Sequence, residues 1–308
     1  MKLGQGRLQP DLSDWVVPDE LDYYQTLFEV VFGKAESTFV EAVGRESLPH
    51  ILIGLSTFLD NKSPHDIRVR AANPTNQASG WNSPYTTLEV TLSDRPFIVD
   101  SVLCELNRLG LSCRHMIHPI LRVKRDTNGR IIRNQESSEA RLEAYQLFLI
   151  ARVPDQELAG IETRVRRVLE DVKRATDDYH EMRGVMGKIS ASLLSVAQNL
   201  RDPSLSVELR ESADFLNWLD DHNFVFLSYQ EFKTDLGGED IQLVAQPESA
   251  LGIRSRNNVH LDERFVPLCN PPDDMSIRLA PRPVVIVSES KHDSTVHRDI
   301  KMDRILIK

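Results

Sequence analysis

The most chemically suggestive residues of the chain fall together in HRDIKMDRILIK, from His297 to Lys308. A His-Arg-Asp triplet opens the catalytic loop of protein kinases, where the Asp accepts a substrate hydroxyl proton and an Asn five positions on holds a metal ion. Asp299 is in place, but five positions on stands Arg304, a cation that cannot coordinate Mg²⁺. Upstream there is neither a G-x-G-x-x-G phosphate loop nor a lysine in a V-A-I-K context, so a transferring phosphoryl group would have no electrostatic support. The stretch is better read as a strand, with Ile305 and Ile307 on one face and Leu306 on the other.

Other candidate ligands and nucleophiles thin out in the same way. In SCRHMIHPIL, His115 and His118 are three apart on an expected strand and face opposite sides, so one metal cannot take both. Strict alternation puts Cys113 and His115 on one face, which is half of a zinc site. His292 and His297 have no partner pattern. There is no G-x-S-x-G elbow, and GQG at Gly4 to Gly6 precedes any core element, so no dinucleotide fingerprint follows a strand. Helix-face carboxylates such as Glu170 and Asp171 read as solvated surface. No catalytic residue, no metal site and no cofactor are expected in this segment.

What remains is SDRPF, Ser93 to Phe97, between an expected strand and an expected helix. Backbone N–H groups at a helix start carry partial positive charge and suit a carboxylate. A plain cap explains the same residues.

The elements that must position this loop follow from periodicity. Leu21, Tyr24, Leu27, Val30 and Val31 recur at helical spacing, as do Leu48, Ile51, Leu52, Leu55 and Leu59, and a short strand follows at Ile67 to Ala71. AANPTNQASGWNSP, Ala71 to Pro84, is a loop by its turn chemistry. YTTLEVTL, Tyr85 to Leu92, alternates and is β-branched, predicting a strand. Ser93 or Asp94 as cap, Pro96 in the first turn and Gly110 past the end bracket a helix with Val99, Val102, Leu103, Leu106 and Leu109 on one face. A long strand over Leu111 to Lys124, a turn at Asp126 to Arg130 and a buried strand from Ala144 come next. Leu158, Ile161, Val165, Val168, Leu169 and Val172 then stripe a further helix.

That order, βαββα, predicts an α+β fold: a ferredoxin-like antiparallel sheet with its helices on one face. Beyond it the sequence predicts a helix at Met182 to Leu200 broken by RDPS, and a helix through Phe215, Leu216 and Leu219. A strand at Phe224 to Phe232 follows, then turns at LGGED, CNPPDD and APRP before a VVIVSES strand. The expected domains are N-terminal helices and a short strand over residues 1–80, a sheet domain over 81–180, connecting helices over 181–222 and a second α/β module over 223–308.

Composition narrows the function classes. A net charge of −9 over 308 residues argues against an affinity built on phosphate neutralisation, so nucleic acid is not an expected partner. No stretch approaches the roughly 18 apolar residues of a membrane span, and the first residues lack a secretory signal, which predicts a cytoplasmic protein away from the membrane. Cys104, Cys113 and Cys269 form no C-x-x-C pair and fit reduced thiols.

With βαββα in place, D-R-P-F-I-V-D-S-V at Asp94 to Val102, E-L-N-R-L-G from Glu105 and I-H-P-I-L-R-V from Ile117 resemble a known family. They are similar to the first ACT-type domain near the N-terminus of the large bacterial NAD-dependent glutamate dehydrogenases. FLNWLDDHNFVFLSYQEF at Phe215 to Phe232, LGI at Leu251 and the closing STVHRDIKMDRILIK extend the likeness, which runs from about Tyr85 onward.

The resemblance implies a regulatory and oligomerisation segment, ACT-like and then PAS-like, of an enzyme that oxidises L-glutamate to 2-oxoglutarate and ammonia with NAD⁺. The catalytic domain and the NAD site would lie elsewhere in that longer protein, and the apolar ending ILIK fits a chain that continues. It also implies self-association through the ACT-like sheet or helices, and an amino-acid effector at Asp94, Arg95, Pro96, Phe97 and Asp100. Ligand-binding ACT domains often carry Gly after D-R-P; the bulky Phe97 here is expected to close that pocket. The alternative is a stand-alone ACT-type amino-acid sensor.

Overall fold

In a computed structural model, residues 10–60, 62–63, 65–133, 140–235, 242–255 and 283–308 are described. Cys269, the LGGED and CNPPDD turns and residues 280–282 of APRP lie outside them. Contacts divide the chain into two compact units, Met1–Glu170 and Asp171–Lys308.

In the first unit the 3.6-residue periodicity yields α1 (Leu21–Phe32) and α3 (Leu48–Leu59), with α2 (Ser37–Val43) between them. Tyr24, Leu27, Phe28, Val31 and Phe32 form the buried stripe of α1, and Val30 faces outward, contrary to expectation. Strand β1 (Arg68–Ala72) follows, and the long polar loop contains one short helix, α4 (Asn76–Ser79), capped by the Thr75 hydroxyl. Next come β2 (Tyr85–Ser93), α5 (Ile98–Arg108), β3 (Cys113–Ile117), β4 (Ile120–Val123), β5 (Arg141–Ala151) and α6 (Asp155–Asp177). Gly110, at φ 71°, ends the α5 segment in the left-handed conformation that glycine adopts most readily.

The sheet order is β1-β2-β5-β3, with β4 also on β5, and every pairing is antiparallel. The α+β expectation holds. The single strand expected over Leu111 to Lys124 is two, because His118 and Pro119 interrupt the ladder and proline has no N–H to give it.

The sheet has helices on both faces, because the N-terminal helices, which stand outside the βαββα order, cover the face that α5 and α6 leave. Tyr145, Leu147 and Leu149 of β5 pack into one cluster with the buried faces of α1, α2 and α3. Alternation turns Phe148 and Ile150 to the opposite face, together with Leu88, Val90 and Leu92 of β2. All five are buried, as are Val102 and Leu106 of α5 and Ile161, Val165, Val168 and Leu169 of α6. The sheet is therefore the middle of three layers, and β2 is buried from Thr86 to Leu92.

The second unit begins within α6 and contains α7 (Tyr179–Asn199) and α8 (Pro203–Trp218). RDPS acts as foreseen: the Asp202 carboxylate accepts from the N–H groups of Ser204 and Leu205, and Pro203 occupies the first turn. Its strands are β6 (Ser228–Tyr229), β7 (Phe232–Asp235), β8 (Gln242–Ala245), β9 (Leu251–Gly252), β10 (Val285–Asp293) and β11 (Lys301–Ile307), in antiparallel pairs β6-β9, β7-β8 and β10-β11. The strand expected across Phe224 to Phe232 is mostly loop, because Phe224 and Phe226 pack against the α7–α8 cluster.

Within the HRDIKMDRILIK stretch Lys301–Ile307 form β11, with Ile305 and Ile307 against that cluster, as the alternation required, and His297, Arg298 and Asp299 lie in the bend before it. Asp171, expected on the surface, is buried: the Thr295 hydroxyl donates to it at 2.7 Å, and Arg174 lies one turn on at 3.6 Å.

Candidate functional site

The SDRPF loop leaves β2 at Ser93, which pairs with Glu143 of β5, and the Asp94 N–H then donates to the Leu142 carbonyl at 3.0 Å. Arg95 Nε donates to the Ser93 carbonyl at 3.3 Å. The capping position falls on Phe97, which has φ 73° and ψ 3° and makes no side-chain cap. Phe97 thus keeps the left-handed conformation in which glycine is unstrained, and its side chain is half-buried. Asp94, Pro96 and Asp100 are exposed, and Asp100 sits in the first turn of α5, where a carboxylate suits the helix dipole.

Behind this loop lies a constellation that sequence reading missed. Glu143 is fully enclosed and accepts from Lys62 Nζ at 2.9 Å and from Arg125 through Nε at 2.8 Å and Nη2 at 2.9 Å. Arg125 also donates to the carbonyls of Leu59 at 2.8 Å and Gly129 at 2.7 Å, while the Lys62 N–H donates to Gly129 O at 3.1 Å. Gly129 has φ 80°, and a Cβ there would stand 2.7 Å from the Lys62 carbonyl oxygen, so glycine is required on both counts.

One carboxylate serves two cations. Burial alone would raise the Glu143 carboxyl, but the hydrogen bonds from Arg125 and Lys62 hold it below the usual value. Burial lowers the Lys62 ammonium, and Glu143 does not restore it because Arg125 already engages both carboxylate oxygens and adds repulsion. Lys62 is the surplus cation of the cluster.

A second buried network crosses β1, β2 and β5. The Tyr145 hydroxyl donates to Glu89 at 2.8 Å, and Arg70 Nε donates to the other Glu89 oxygen at 2.6 Å. Burial and then the Glu89 charge push the Tyr145 hydroxyl well above its ordinary range, so it remains a donor. A third joins α5 and α6: Glu105, on the buried face of α5, accepts from Arg164 Nε at 2.6 Å. The only sequence signal for these groups was a charged residue at a core position of an otherwise apolar stripe.

The Cys113 and His115 reading is corrected by a β-bulge. Cys113 pairs with Ile150 and His115 with Leu149, so the irregularity at Arg114 turns the two side chains to opposite faces. His115 meets the Tyr85 ring edge-on, and burial pushes the Cys113 thiol up, away from thiolate chemistry. Among the described residues no group of three or more His, Cys, Asp or Glu is placed to hold a metal ion, and no helix is long and apolar enough to cross a membrane.

Residues 27–165 match the family described as "Glutamate dehydrogenase, ACT1 domain", a span that takes in most of the three-layered unit. The chain is 30% identical over 268 residues to the NAD-specific glutamate dehydrogenase of Halomonas elongata, covering 81% of this chain and 16% of that protein. Its identity to the NAD-specific glutamate dehydrogenase of Pseudomonas aeruginosa is 28% over 252 residues, 78% of this chain and 15% of that protein. With the Mycobacterium tuberculosis protein of the same name it is 24% over 171 residues, 54% and 10% of the two chains. These matches support the chain as an N-terminal region of the NAD-specific glutamate dehydrogenase family. It spans about a sixth of the length of the first two relatives. No solved structure matches it.

Proposed function

We propose that the chain is a regulatory and assembly segment of an NAD-dependent glutamate dehydrogenase, the enzyme that converts L-glutamate, water and NAD⁺ to 2-oxoglutarate, ammonium and NADH. In this reading the segment carries no catalysis of its own, and NAD binds elsewhere in the longer, cytoplasmic protein. One observation carries it: the span that matches the ACT1 domain is a sheet unit whose buried ionisable groups, Glu143, Glu89 and Glu105, are engaged in internal pairs. Such pairs build a scaffold rather than a reactive centre.

The ferredoxin-like assignment draws support from the strand order. β2–α5–β3/β4–β5–α6 supplies βαββα, and the sheet position beside β2 is filled by β1, which precedes it in sequence. The PAS-like assignment of residues 223–308 rests on antiparallel pairs that follow a helical hairpin. Self-association is proposed through the β3/β4 edge, which among the described residues pairs only with β5; at the β1 edge the Ala71 N–H is taken by Glu162 at 2.8 Å.

Purified residues 1–308, supplied with glutamate and NAD⁺, are expected to form no NADH above background. Turnover would overturn the reading. The second reading, an amino-acid sensor acting at Asp94, Arg95, Pro96, Phe97 and Asp100, is favoured by the exposed Asp94 and Asp100 at the point where β2 gives way to α5. Calorimetry with a panel of amino acids separates the two: saturable heat abolished by Asp94→Ala supports the sensor, and silence across the panel supports the scaffold.

A further inference from the structure

The motif FLNWLDDHNF is only partly explained by packing. Leu216 and Leu219 enter the core of the second unit, but Trp218 remains 50% exposed. It is ordered nonetheless: its ring stacks on Phe215 at 6.0 Å and meets the edge of Phe224 at 5.9 Å. On α8 the residues Val207, Glu211, Asp214 and Trp218 follow one another at spacings of four, three and four, so they form one stripe. All four are exposed, opposite the buried Leu209, Ala213 and Leu216.

The stripe is acidic and its charge is not neutralised. Asp220 is clamped by Arg183 at 2.5 and 2.9 Å, whereas Glu211, Asp214 and Asp221 form no ion pair among the described residues. Between Pro203 and Asn223 stand five carboxylates against the single cation Arg210. An exposed indole presents a negative ring face that attracts cations, and a guanidinium both stacks on it and pairs bidentately with a carboxylate.

We propose that this face of α8 docks an arginine-bearing amphipathic segment of a protein partner. One guanidinium lies over Trp218, others pair with Asp214 and Glu211 one and two turns back, and an aliphatic side chain of the partner covers Val207. The charge pattern disfavours a second copy of the same acidic face, where like charges would meet.

The test titrates the full 308-residue chain with a helical peptide of Leu, Ala and Arg that carries arginines three and four apart, followed by tryptophan fluorescence and calorimetry. A lysine version and a glutamate version serve as controls. Binding is expected for the arginine peptide, about tenfold weaker for lysine, and absent for glutamate. Raising salt from 50 to 500 mM should weaken it several-fold. Asp214→Lys with Glu211→Lys should abolish binding, and Trp218→Leu should weaken it about tenfold. All the altered positions are exposed, and an unchanged melting curve confirms that the fold is retained. No binding, equal binding of the glutamate peptide, indifference to the charge reversals, or self-association of the chain lost on Trp218→Leu would each overturn the proposal.

Discussion

The two units place their charges in opposite ways. In residues 1–170, Glu143, Glu89 and Glu105 lie inside a three-layered sandwich, each held by an arginine. In residues 171–308, Asp171 is enclosed under Thr295, but Glu211, Asp214 and Asp221 face outward beside an exposed tryptophan. The difference follows from sheet size. A five-stranded sheet covered on both faces has positions that water cannot reach, so any carboxylate there must find a cation. A two-stranded ladder such as β10–β11 has little interior of its own and packs Val285, Ile305 and Ile307 on the α7–α8 cluster, while the opposite face of α8 stays exposed and carries charge.

Perturbing each unit separately sharpens or breaks this contrast. Glu143→Ala has the largest expected effect: it strands two buried cations and should cost about 3–5 kcal/mol. Scanning calorimetry is expected to show the transition of the first unit falling while that of the second holds; a joint shift would mean that the units do not unfold independently. Leu216→Ala, in the core of the second unit, should cost about 3 kcal/mol and move the other transition.

Lys62→Met should stay within about 1 kcal/mol of the parent at neutral pH, since Arg125 still satisfies Glu143. A loss as large as that of Glu143→Ala would show that Lys62 is not surplus.

The pH profile follows from the same cluster. Glu143 titrates below its ordinary value of 4.5, so its contribution is complete above pH 4.5 and is lost as pH falls through the folded value. Lys62 titrates below 10.5, so the cost of burying its charge is fully present at pH below the folded value and fades as pH rises toward 10.5. Urea midpoints should therefore fall on the acid side, less so in Glu143→Gln, and rise on the alkaline side, a rise that Lys62→Met removes. Phe97→Gly has the smallest expected effect, a gain of about 0.5–1 kcal/mol from relief of the left-handed backbone, offset by whatever packing the ring provides. A rise in melting temperature checks it.

Much of the first unit was legible because its signals are local. Pro96 and Gly110 bracket α5, the alternation of YTTLEVTL makes β2, and DTNGR makes the tight turn that carries Gly129. The candidate loop was legible as well: Asp94 to Phe97 sit where strand gives way to helix. Its backbone was not, since a left-handed Phe has no signature in composition.

What the sequence determined by itself is α1, α3, β2, α5 and α6, the resemblance carried by D-R-P-F-I-V-D-S-V, and the strand at the end of HRDIKMDRILIK, because periodicity and motif spacing are properties of the chain alone. Only the tertiary structure decided that the polar face of β2 is dry, that Cys113 and His115 diverge, and that Lys62 and Arg125 meet one carboxylate. Each depends on residues far apart in sequence: Glu143 lies 81 positions from Lys62, and Glu89 lies 56 from Tyr145. No local pattern encodes such pairings; burial imposes them, since a charge removed from water must find its counterpart wherever the fold brings one.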